Sequence, residues 1–360
     1  MFIILLLFSL SCCPAFSEID LGGYYKSDLI YIQNRSVGSP INNMNKLRLK
    51  FDYQPDDRTL FHIEPQMVAM SGFSDFPIEG ASDLDKLSWE RAYLSLNYGT
   101  FDLIGGKQRI AWGTGRVWNP TDIFNPFSLT LADEEKQGVD ALRVINYLGA
   151  ASNIDAVVLS ATSEAQRKWA LKTKTNYLNY DLSVSYINMG EGQGYMIGSD
   201  FAGEMWDFEV RGEFAGYTPG SGEAYLNFCL GGGYTLDNGL GIDIEYYNNG
   251  LGKSDKSDYN FNALFSGEAT FLARHYLSCS TSYMINELET IRGAVIWNLV
   301  DGGLLLYPSY SYNLFEDVDL SFDAILYSAA SGDEWNPGLV VDPTGFIGSN
   351  LYFVRVRYSF

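Results

Sequence analysis

No stretch beyond the opening residues offers the unbroken apolar run, about twenty residues long, that a membrane-crossing helix needs, so the α-helical membrane class is excluded. Histidine occurs only twice, at His62 and His275. So few imidazoles leave little for acid–base catalysis or metal ligation. His62 shares a strand face with Glu64, but no serine-centred motif lies near it. The acidic run Asp133-Glu134-Glu135 reads as solvated, and neither an enzyme, a metal site nor a cofactor is expected. Cations are scarce as well: 24 Lys and Arg stand against 44 Asp and Glu, a formal charge of −20. Nucleic acid and anionic lipid are therefore poor candidates for a partner surface. Of the four cysteines, Cys12 and Cys13 lie in the opening segment, and strand parity sets Cys229 and Cys279 on opposite faces. No disulfide between them is expected.

What the chain does have is 36 Gly, 25 Tyr and 22 Phe, with a mean hydropathy of −0.07. Aromatic and β-branched residues recur in short period-two segments separated by turn signals, which is the weak signature of a membrane barrel. A secreted sandwich or propeller would not explain charges on the opposite face of nearly every strand. Residues 1–17 read as a signal peptide, with an apolar start, Pro14 as helix breaker and Ala15-Phe16-Ser17 before a cleavage point. Residues 18–360 are then one barrel domain. The acidity lies wholly in this mature part.

The last strand places Tyr352, Val354, Val356, Tyr358 and Phe360 on one face and Arg355, Arg357 and Ser359 on the other. This column resembles the terminal strand of bacterial outer-membrane β-barrels, whose final aromatic residue serves as an insertion signal. That resemblance implies the outer membrane as location, with membrane lipid, lipopolysaccharide and the barrel-assembly machinery as partners. Homotrimers are compatible with it.

Other segments repeat the alternation. Leu47, Leu49, Phe51 and Tyr53 point outward against Arg48, Lys50 and Asp52, and Ala92, Leu94 and Leu96 outward against Arg91. Further on, Trp206, Phe208 and Val210 oppose Asp207, Glu209, Arg211 and Glu213. Counting these segments gives an all-β, closed antiparallel transmembrane barrel of about 18 strands, with 16 as the alternative. The long connections 71–85, 111–137, 249–267 and 330–349 all fall on one side by parity. Strands start too soon after residue 17 to leave room for a globular plug.

Residues 111–137 stand apart: A-W-G-T-G-R-V-W-N-P-T-D-I-F-N-P-F, then S-L-T-L-A-D-E-E-K-Q. Asn-Pro pairs and Thr121-Asp122 are turn and helix-start chemistry. The segment joins strands five and six, where general porins carry a loop folded back into the pore, and its motif is similar to one in poorly characterised outer-membrane barrel families. An inward-folded constriction is expected, built from Arg109, Trp112, Arg116, Trp118, Asn119, Asp122, Asn125 and Glu134. A surface loop at the membrane interface is the alternative.

Parity also sorts the lumen charges. Arg48, Lys50, Arg91, Arg355 and Arg357 are expected on a basic side, and Asp207, Glu209, Asp243, Glu245 and Asp319 on an acidic side. Opposed signs across a narrow pore would orient dipolar solutes. The function expected is passive diffusion of small hydrophilic solutes through a porin-like channel. An export channel for an acidic polysaccharide and a structural or adhesive barrel are the alternatives.

Overall fold

The structure is a computed structural model that describes residues 19–33, 41–71, 87–124, 138–163, 166–266, 268–336 and 349–360. Its strands in chain order are β1 (Ile19–Gln33), β2 (Ile41–Asp56), β3 (Thr59–Ser71), β4 (Leu87–Asn97), β5 (Phe101–Gln108) and β6 (Val139–Tyr147). There follow β7 (Asn153–Leu159), β8 (Trp169–Tyr177), β9 (Tyr180–Asn188), β10 (Gly194–Met205), β11 (Phe208–Pro219) and β12 (Tyr225–Thr235). The set ends with β13 (Gly241–Asn248), β14 (His275–Met284), β15 (Glu289–Asn298), β16 (Leu304–Phe315), β17 (Val318–Ser328) and β18 (Asn350–Ser359).

Each strand pairs with its chain neighbour, and β18 returns to pair antiparallel with β1, so the 18-stranded sheet closes on itself. Closure leaves no strand edge with unpaired backbone groups. The higher of the two expected strand counts is the one observed. At the seam, Tyr24 faces Ser359 and Gln33 faces Asn350. Beyond the last strand, Gly23 and Phe360 exchange backbone hydrogen bonds of 2.9 and 3.0 Å.

The period of two gives the sheet two distinct faces. On β1, Lys26, Asp28, Ile30 and Ile32 are buried inside the barrel, whereas Leu21, Tyr25, Leu29 and Tyr31 are exposed outside. Tyr352, Tyr358 and Phe360 belong to the exposed outer column. Among the described residues no helix is long and apolar enough to cross a membrane.

Short turns close one end of the barrel, and the strand ends from which the four long connections leave, on β3, β5, β13 and β17, all lie at the other; residues 72–86, 125–137 and 337–348 of those connections lie outside the described residues. Trp206 and Asp207 form one of the short turns, with φ of 51° and 70°. A two-residue hairpin with both φ values positive matches the strand twist. This corrects the reading of Asp207 as a lumen acid. Met205 pairs directly with Phe208, so true parity breaks at the turn, but Trp206 and Asp207 continue in sequence the apolar-acidic alternation of β11 and so hide the boundary.

Candidate functional site: the segment after β5 and the inner wall

The inner face of the barrel carries one unexpected feature, a row of apolar residues. Val157 pairs with Ala170, Ala170 with Ile187, and Ile187 with Met196 in direct register across β7 to β10. A solvated wall has no use for such a row. It is covered by residues 109–124, whose Ile110, Trp112 and Phe124 pack on it in one buried cluster together with Ala141 and Ala215. Trp112 and Phe124 meet edge to face at 5.0 Å. The Trp112 indole N–H donates to Asp155 Oδ2 at 3.0 Å, and Arg143 holds that carboxylate in place through Nε at 2.9 Å.

Two buried carboxylates then take up the segment's backbone donors. Glu213 on β11 accepts from the amides of Thr114, Gly115 and Thr121 at 2.5, 2.5 and 3.1 Å, and from the Thr121 hydroxyl at 2.7 Å. Glu245 on β13 accepts from the amides of Arg116, Val117 and Trp118 at 2.9, 3.1 and 2.8 Å. Both glutamates are fully buried. Non-helical backbone inside a barrel needs partners for its N–H groups, and these side chains supply them. Arg211 compensates the acids, donating to Asp243 at 2.6 and 2.7 Å and to Glu245 at 3.1 Å.

Glycine is required at two positions in this turn. Gly113 has φ +93°, and a Cβ there would meet Glu213 Oε1 at 2.5 Å. A Cβ on Gly115 would meet the Trp118 carbonyl oxygen at 1.9 Å. Past the turn, Trp118 stacks on Tyr247 with ring centroids 5.2 Å apart and planes 10° from parallel. Trp118 joins Tyr276, Phe271 and Trp335 in a second buried cluster, which ties in the connections after β13 and β17. Since β13 lies far round the barrel from β5, residues 109–124 cross a large part of the inner wall.

The expected constriction residues divide accordingly. Trp112, Arg116, Trp118, Asn119 and Asp122 all belong to this inner segment. Asn119 Nδ2 donates to the Gly115 carbonyl at 2.6 Å, Asp122 is buried, and the Arg116 guanidinium pairs with Glu209 and, at 3.6 Å, with Asp243. Arg109 is different: it is exposed between the buried Gln108 and Ile110 and makes no hydrogen bond or ion pair among the described residues. Alternation at the end of β5 turns it away from the interior. Asn125 and Glu134 lie outside the described residues.

The basic side is interleaved with acids of its own. Arg48 lies 3.8 Å from Glu64 and 3.7 Å from Glu90, and Arg91 lies 3.6 Å from Glu64. Lys50 pairs with Asp52 at 2.7 Å, Arg355 pairs with Asp28 at 2.6 Å, and the Arg357 guanidinium sits 4.3 Å from the Tyr24 ring centroid. His62 lies between Asp52 and Glu64, at 2.5 and 2.8 Å. Glu209, Asp243 and Glu245 form an acidic group around Arg211 and Arg116. Asp319 is exposed and accepts from Asn313 Nδ2 at 3.1 Å. The charges thus pair mainly along each wall. Cys229 is buried under the segment, its thiol donating to the Trp118 carbonyl at 3.2 Å, and both Cys229 and Cys279 are free thiols.

A closed 18-stranded barrel with a segment bound along its inner wall defines a porin-like architecture. No protein-family model and no curated protein matches the chain. Solved structures do resemble it: a triple mutant and a double mutant of Rhodopseudomonas blastica porin each align with a TM-score of 0.53 at 13% identity, over 95% of this chain and 100% of theirs. An engineered protein studied for asymmetric conductivity aligns equally well. The likeness is one of fold.

Proposed function

We propose that the protein is an outer-membrane channel for passive diffusion of small hydrophilic solutes, narrowed by the segment after β5. The observation that carries this reading is the seating of residues 113–121 on Glu213 and Glu245. Two buried glutamates that accept seven hydrogen bonds from one connecting segment make sense where the segment must keep a fixed position inside the barrel. Unplugged barrels of about 16 to 18 strands enclose an aqueous passage. Arg116, Glu209 and Asp243 set the charge of its narrow zone, with the mixed wall of β1 to β4 and β18 opposite. The outer aromatic column ending at Phe360 acts as the assembly signal, lipopolysaccharide surrounds the outer rim, and the barrels associate as homotrimers. No step in this account needs enzymatic chemistry.

The test is liposome swelling with the purified full-length protein and uncharged sugars of increasing size. Influx of monosaccharides with sharply slower influx of tri- and tetrasaccharides is expected. Swelling no faster than in protein-free liposomes would overturn the channel.

A further inference from the structure

The inner wall of β14 to β16 differs from the rest of the lumen, because it carries hydroxyls and one arginine. Arg292 on β15 faces Ser282 on β14 and Ser309 on β16 in direct register. Ser280 and Ser311 occupy the neighbouring same-face positions, and Tyr307 pairs with Ala294 beside them. Inward direction follows from parity: Ile291 and Trp297 on the alternate face are exposed outside, and Ile296 on the same face is buried inside. The Arg292 side chain is exposed to the interior and has no hydrogen bond, ion pair or ring contact among the described residues. By contrast, Arg48, Arg91, Arg143, Arg211 and Arg355 each lie within 4 Å of a carboxylate. Asp243 and Asp323, inward acids two strands away on either side, are already engaged, with Arg211 and Arg355 respectively. The hydroxyls of Ser280, Ser282 and Ser309 likewise make no hydrogen bond to the described residues.

The position matters as much as the composition. Asp243 pairs with Ser280, Ser280 with Ala294, and Arg292 is the next same-face residue toward the short-turn end. Arg292 therefore lies one same-face step, on the short-turn side, beyond the level at which Arg116 rests on Asp243.

We propose that this strip is a binding subsite for an anionic polyol, a sugar-like solute carrying a carboxylate. A free guanidinium presents a planar fork of donors matched to a carboxylate. The flanking serines both donate and accept, so they can replace the water around the solute's hydroxyl groups. Neither feature alone selects such a solute: the arginine would take any small anion and the serines any sugar. This inference rests on the channel reading, and its test separates the two.

Titration calorimetry on the detergent-solubilised full chain, with glucuronate, glucose and acetate as probes, reads the subsite without any need for conduction. Potassium chloride conductance in planar bilayers reads the channel alone. Glucuronate is expected to bind more tightly than either glucose or acetate. Arg292→Gln should weaken it by about tenfold, the loss of one charge-assisted pair, while changing the salt conductance less than twofold. Ser282, which is exposed beside Arg292, gives the second variant: Ser282→Ala should narrow the gap between glucuronate and acetate. Equal glucuronate affinity in wild type and Arg292→Gln, or acetate binding as tightly as glucuronate, in a protein that conducts salt would overturn the subsite and leave the channel standing.

Discussion

Thr121 and Glu213 are separated by 92 residues in sequence, yet the Thr121 amide and hydroxyl both donate to one Glu213 oxygen, at 3.1 and 2.7 Å. With Thr114 and Gly115 on its other oxygen, this carboxylate is the main anchor of the inner segment. Glu213→Ala leaves four donors without a buried acceptor. Hydrogen bonds to a charged acceptor are worth about 1.5–3 kcal/mol each and do not add fully, so a net loss of roughly 3–5 kcal/mol from the seating of the segment is expected. Amide hydrogen exchange at Thr114, Gly115 and Thr121 should rise by orders of magnitude, with the strands still protected. Unchanged protection at those three amides would contradict the anchoring.

Gly115→Ala tests the same turn through sterics. The new Cβ would fall 1.9 Å from the Trp118 carbonyl, and backbone cannot yield as a side-chain tip does. The turn must therefore open, and a new proteolytic site between residues 113 and 121 is expected. Gly105→Ala serves as the comparison, since its Cβ would meet only the Leu142 side chain at 3.8 Å. Similar resistance of both variants to protease would count against the required turn.

Much of this molecule is legible in the sequence because a strand's period of two is a one-dimensional property. Strand number, the end of the barrel at which each long connection leaves its strand and the inward direction of residues such as Arg48 and Glu245 follow from parity alone. Parity misleads where the residues of a turn imitate it, as at Trp206-Asp207, and where a strand runs out, as at Arg109. Pairing is another matter. That Glu213 serves Thr121, or that Glu90 sits beside Arg48, depends on register and on the path of the segment after β5. The apolar row from Val157 to Met196 was the available signal for a covered inner wall, and Ser282, Arg292 and Ser309 the signal for the hydroxyl strip, but each shows only once the strands are aligned side by side.

Trp118 is buried against Tyr247, Phe271 and Tyr276. Trp118→Ala should cost about 3–5 kcal/mol, as large core truncations do. Much of that loss should appear as loosening of the aromatic cluster rather than of the barrel. Near-ultraviolet circular dichroism should lose signal while the far-ultraviolet β-sheet signal stays. A parallel loss of both would mean that the barrel itself depends on this residue.

Glu334, in the connection between β17 and β18, accepts from the Leu272 amide at 2.7 Å, the Tyr276 hydroxyl at 2.6 Å and Asn298 Nδ2 at 2.7 Å. Burial is the largest influence on it and pushes its carboxyl up to about 8. A carboxyl raised above its unfolded value of 4.5 takes up a proton on folding between those two values. Its contribution to stability is therefore full below about pH 4.5 and declines as pH rises through 8. Exchange protection of the Leu272 amide should fall from pH 6 to pH 9, after correction for intrinsic exchange, and Glu334→Gln should flatten the profile. A protection factor independent of pH in the wild type would contradict this.

Asp207 and Asp243 offer a charge-matched comparison. Asp243 holds Arg211 and touches Arg116 inside the barrel, whereas Asp207 sits in a hairpin turn at its end. Asp243→Asn frees positive charge in the narrow zone and should shift the reversal potential in a salt gradient toward anions. Asp207→Asn should change it little, because an exposed charge is screened within about 10 Å at 0.1 M salt. Equal shifts from both variants would argue that the zone around Asp243 does not set ion preference.

The most direct measurement is single-channel conductance of the wild type against a variant with residues 113–124 replaced by a short Gly-Ser link. Removal of the segment from the inner wall should raise the conductance severalfold, with the β-sheet content of the barrel unchanged. A folded variant with wild-type conductance would contradict the claim that this segment narrows the channel.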